Sequence, residues 1–152
     1  MLLLELFDRI ENVKLIPNAE LQKEIASGNI FDTTKYACVF EVDGRTYVAQ
    51  LGKTPSMVEG AYWFEFYYLD PTTGENVNIM NQNIPALQVY GKAISALRVM
   101  LEASNAKVIA MTGAEMRQTD LYRKILKRYG NMIPGYEVDL HHLMIVRKQR
   151  HR

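Results

Sequence analysis

Residues 85–93 read Pro-Ala-Leu-Gln-Val-Tyr-Gly-Lys-Ala, a Pro-x-x-Gln-x-x-Gly-x-Ala spacing. They fall where an extended segment is expected to turn into a helix. Such a turn leaves main-chain N–H groups without acceptors and aims the positive end of a helix dipole at one place, which suits a phosphate or pyrophosphate. Gln88, Val89, Tyr90, Gly91, Lys92 and Ala93 are therefore candidate anion-binding residues. The same residues also fit an ordinary helix start in which Gly91 is small for close packing. His141-His142 has only His151 to join it, and no carboxylate–histidine spacing accompanies the pair, so they read as loop residues and no metal is expected. Cys38 is the single cysteine, which excludes an intrachain disulfide and fits a small buried hydrophobe in a strand.

These residues must be positioned by elements that the hydrophobic pattern predicts. Leu3, Leu6, Phe7, Ile10 and Val13 recur at helical spacing, an amphipathic first helix. A second short helix follows Pro17-Asn18, with Asn18 as its N-cap and Gly28 as its stop. Tyr36–Val42 and Arg45–Leu51 flank Asp43-Gly44, a strong hairpin signal. Ala61–Leu69 reads as a long aromatic strand, and Pro71-Thr72-Thr73-Gly74 as a turn into a fourth strand from about Val77. A helix near residues 88–103 buries Tyr90, Ala93, Ile94, Leu97, Met100 and Leu101. Lys107–Met111 is a short apolar strand, as one covered on both faces would be. A helix near residues 115–129 places Leu121, Tyr122, Ile125, Leu126 and Tyr129 on one face and Arg117, Arg123, Lys124, Lys127 and Arg128 on the rest. Gly130 follows as its C-terminal cap, and Leu143–Arg147 is a last strand. The order predicts one α+β domain over residues 1–152 with a mixed sheet: an antiparallel meander, then helix-strand-helix-strand.

The net charge of +1 gives the whole chain no field that would draw it to nucleic acid or membrane. Nucleic acid is not expected as a partner except through the basic tail at residues 147–152, which also reads as a solvated terminus. Met1–Phe7 is apolar but short, is interrupted by Glu5, and lacks basic flanks and a cleavage site. It reads as neither a signal peptide nor a membrane span, and a cytoplasmic protein is expected. Leu2, Leu3, Leu4, Leu6 and Phe7 exceed what one buried stripe requires. The surplus points to contact with other protein chains through the N-terminal helix.

The element order and the Gln88-x-x-Gly91-x-Ala93 turn resemble the GNAT acyltransferase superfamily. That resemblance implies a GNAT-like mixed sheet and acetyl-coenzyme A as the candidate cofactor, its pyrophosphate held by main-chain amides of residues 88–93. It also implies Tyr122 as the acid that protonates the leaving thiolate. Amine acylation needs a group to take the ammonium proton; residues 77–88 contain no acid, and Glu65 on the preceding strand is the best substitute. A core tyrosine and a solvated glutamate are the plainer readings of the same two residues. A closer resemblance is to small GNAT-like proteins of tailed bacteriophages, through Val89-Tyr90-x-x-Ala93-Ile94, Lys107–Met111 and Leu121–Arg128. It implies a virion-associated or host-directed binding or structural module, in the host cytoplasm or the assembled virion, with weak or lost acyl-coenzyme A chemistry. The alternative is an acetyl-coenzyme A-dependent N-acetyltransferase.

Overall fold

The computed structural model describes residues 13–28, 30–69, 76–77, 86–111 and 116–149. The expected first helix, the turn at residues 71–74 and Pro85 lie outside them. The elements are β1 (Lys14–Leu15), α1 (Asn18–Ala26), β2 (Thr34–Val42), β3 (Arg45–Gly52), β4 (Ala61–Leu69), β5 (Asn76–Val77), α2 (Ala86–Ser104), β6 (Val108–Ala110), α3 (Met116–Tyr129), β7 (Tyr136–Asp139) and β8 (Met144–Arg147). A single 3₁₀ turn, Gly130–Met132, follows α3. The protein is α+β, with three helices on an open mixed sheet.

Seven strands lie in the order β1-β2-β3-β4-β6-β8-β7, and β5 pairs with the far end of β4. Every pairing is antiparallel except β4 with β6. Parallel neighbours need a crossover, and α2 supplies it. The β2–β3 hairpin closes at Asp43-Gly44, where both residues have positive φ (50° and 75°), as a two-residue hairpin turn requires.

Alternation sorts the strands onto two faces. Cys38, Phe40, Tyr47, Ala49, Leu51, Phe64 and Phe66 join one core with the buried stripes of α2 and α3. Ala37, Val48 and Tyr67 point the other way and meet Leu21 of α1 and Ile30. On α2 the stripe is Val89, Ala93, Ile94, Leu97, Met100 and Leu101, and on α3 it is Leu121, Tyr122, Ile125, Leu126 and Tyr129. Each large apolar side chain fully removed from water contributes roughly 1.5–3 kcal/mol, so packing on the sheet, rather than propensity, holds both helices.

Several expectations change. The expected fourth strand from about Val77 is described only at Asn76–Val77, which pairs with Tyr68 and Leu69; its continuation lies outside the described residues, and β6 pairs with Ala61–Trp63. Asn18 is the first helical residue rather than the cap; extended Pro17 (φ −58°, ψ 147°) occupies the N-cap and makes no side-chain bond there. Gly28 does stop that helix, at φ 80°. Gly130 is not left-handed. It opens the 3₁₀ turn, and a Cβ on it would lie 2.6 Å from Val138 Cγ2, so it is glycine for space. Strands β1 and β7 were not expected.

Candidate functional site

Strand β4 is the spine of the candidate site. One edge pairs with β3 from Trp63 to Leu69. The other pairs with β6 only over Ala61–Trp63 and with β5 only at Tyr68 and Leu69. Between them, residues 64–67 have no strand partner on that edge among the described residues.

Tyr122, from α3, packs against this stretch of β4. Its ring meets Phe64 at 6.3 Å and Phe66 at 5.8 Å between centroids. The phenol is 1% exposed. Burial pushes it well above the usual tyrosine range, the nearby Glu65 charge adds to the rise, and a hydrogen bond with the Phe66 main chain opposes it. A main-chain bond that favours the phenolate must be donated by an N–H, so the Phe66 amide is directed at the Tyr122 oxygen. Phe66 belongs to residues 64–67 of β4, which pair only with β3 among the described residues. Tyr90, half-buried at the start of α2, packs edge-on against the same Phe66 ring at 6.4 Å.

Glu65 lies on the opposite face of β4, half-buried. Burial raises its carboxyl, and Gln50 opposes the rise. Gln50 Nε2 donates to Glu65 Oε2 at 3.4 Å, and Thr34 Oγ1 donates to Gln50 Oε1. Thr34 and Gln50 are fully buried. This chain of hydrogen bonds, which orients the carboxylate, was not read in the sequence. Its only signal there is a glutamine inside the apolar run of β3. Tyr67, two residues further along the same face, buries a hydroxyl that has no hydrogen-bond partner among the described residues. Tyr122 and Glu65 thus flank one stretch of β4 from opposite faces, close enough for the carboxylate charge to be felt at the phenol.

The expected anion turn is placed differently. Helix α2 begins at Ala86, so the amides left without intrahelical acceptors belong to residues 86–88. By the i→i−4 ladder, the N–H groups of Tyr90, Gly91, Lys92 and Ala93 are taken up within the helix. Gln88 is exposed, while Val89, Gly91 and Ala93 are buried in the helix packing. Gly91 accepts a bond from Ser95 Oγ at 3.1 Å, and Lys92 Nζ reaches back to the Glu41 carbonyl at 2.6 Å. The six residues form the first two turns of a packed helix.

His141 and His142 lie in the turn between β7 and β8. Asp139 Oδ1 accepts both of their backbone N–H groups at 3.0 Å, and Oδ2 meets His142 Nδ1 at 2.7 Å. His142 holds the Asp139 carboxyl below its usual range. Among the described residues no three His, Cys, Asp or Glu side chains gather as a metal site. None of the described helices is long and apolar enough to cross a membrane. Arg147, expected in the basic tail, is the last residue of β8 and donates to Asn105 Oδ1 at 2.8 Å.

Comparison with protein-family models, with curated proteins and with solved structures returned no match.

Proposed function

We propose that this is a GNAT-like-fold protein of the phage type that works by contact with other macromolecules, as a virion-associated or host-directed binding module with weak or lost acyl-coenzyme A chemistry. The parallel β4/β6 pair, in a sheet whose other described pairings are antiparallel and with α2 between its strands, supports the fold reading. The observation that carries the functional reading is Tyr122. Its phenol is buried against Phe64 and Phe66 of β4, and the Phe66 main chain acts on it there. A general acid must reach its substrate oxygen or sulfur, and this hydroxyl is turned into the core. The position of α2 points the same way, because the amides of residues 90–93 serve the helix rather than a pyrophosphate. Partner contact is assigned to the surplus leucines of residues 2–7, which lie outside the described residues.

One observation favours the alternative, an N-acetyltransferase. Glu65 carries a raised carboxyl, oriented by Gln50, beside the same stretch of β4, as a base for an ammonium would be. Calorimetric titration with acetyl-coenzyme A separates the two readings. The binding module gives no saturable heat; saturable binding that releases thiol when an amine is added establishes the enzyme.

A further inference from the structure

Helix α3 turns Leu121, Tyr122, Ile125, Leu126 and Tyr129 into the core. Its outer side carries Asp120, Arg123, Lys124, Lys127 and Arg128. Asp120 Oδ1 already pairs with Arg123 Nη1 at 3.1 Å. Lys124, Lys127 and Arg128 are exposed, and among the described residues no carboxylate pairs with them. Lys124 stands three residues before Lys127 and four before Arg128, so the three cations are surface neighbours that repel one another. The helix dipole favours a cation in the last turn, which accounts for Lys127 and Arg128 but not for Lys124 a turn earlier.

The charge of the whole chain is divided in the same sense. Residues 104–152 hold ten Lys and Arg against four Asp and Glu, whereas residues 1–103 hold eight against thirteen. The net charge of +1 conceals this polarity. Between residues 119 and 129 no apolar side chain is exposed. A protein interface is built around a buried apolar centre from which charge is depleted. Contact with a phosphate backbone needs no such centre, only cations about one helical turn apart.

We propose that the outer face of α3, through Lys124, Lys127 and Arg128, binds the phosphodiester backbone of nucleic acid without reading its bases. The test is fluorescence anisotropy with labelled random-sequence DNA of about 20 nucleotides, single-stranded and duplex, between about 50 and 200 mM salt. Three neutralised phosphates give a log–log salt slope of about −2.1 on single strands and about −2.7 on duplex, a weakening of roughly 20- to 40-fold over that range. The Lys124→Gln/Lys127→Gln/Arg128→Gln variant should lose the binding. A variant with equal charge loss elsewhere, Lys14→Gln/Lys23→Gln/Lys35→Gln, should keep it. Circular dichroism confirms that both variants are folded. The parent's salt slope is read independently of either. The proposal is overturned by no binding at the lower salt, by unchanged binding of the α3 variant, by equal loss in the control, or by polyglutamate binding as tightly as DNA through the same three residues.

Discussion

Glu65 shows how one side chain reports on its surroundings. Burial raises its carboxyl from 4.5, the value of an unperturbed glutamate. The unfolded chain therefore releases this proton first, and stability falls as pH rises from about 4.5 through the folded value. The loss persists at pH 7. Glu65→Gln keeps the shape and leaves an amide oxygen to accept from Gln50 Nε2. At pH 7 its urea midpoint should be at least as high as the parent's, and the two should converge near pH 4. A lower midpoint at pH 7 would mean that the charge is held by a partner rather than merely tolerated. The sequence offered Glu65 as a candidate but not the residues that orient it. Thr34 and Glu65 are 16 and 15 residues from Gln50, and the β2–β3 and β3–β4 registers together bring them to it. A lone polar residue in a strand does not announce its partners.

At the scale of elements, local chemistry was the readable part. Asp43-Gly44 specifies its own turn, and the helical stripes specify which sides of α2 and α3 are buried. Ala61–Leu69 is the strand that its aromatic composition predicts. What stayed hidden depends on distant pairing. Tyr136–Asp139 has only two apolar positions, and its existence rests on its ladder with β8. The neighbour of β6 could not be read from the order of strands along the chain, because the nearer segment, Asn76–Val77, pairs with β4 instead. Two substitutions probe the elements. A Cβ on Gly52 would lie 2.3 Å from Trp63 Cε2. Gly52→Ala should cost about 1–3 kcal/mol, as overpacking does, and should shift the emission of Trp63, the only tryptophan. Unchanged emission and stability would mean that the indole is free to move aside. Leu126, 2% exposed, anchors α3. Leu126→Ala should cost roughly 2–5 kcal/mol in urea unfolding, and a neutral result would place the helix differently.

For the molecule as a whole, the question is what packs on the middle of β4. Tyr122 from α3 lies against Phe64 and Phe66, and Tyr90 packs on the same Phe66 ring. In the sequence Tyr122 reads as an acid by resemblance and, more plainly, as core, and its burial against Phe64 and Phe66 agrees with the plainer reading. If Tyr122 is a packing residue on β4 rather than an acid facing a cofactor, the Phe66 amide reports on it. Its hydrogen exchange should be followed by NMR in the parent, with and without acetyl-coenzyme A, and in Tyr122→Phe. The expected result is a protected amide in the parent, unchanged by acetyl-coenzyme A, and faster exchange in the variant. An amide that exchanges freely in the parent and becomes protected only when acetyl-coenzyme A is added would contradict it.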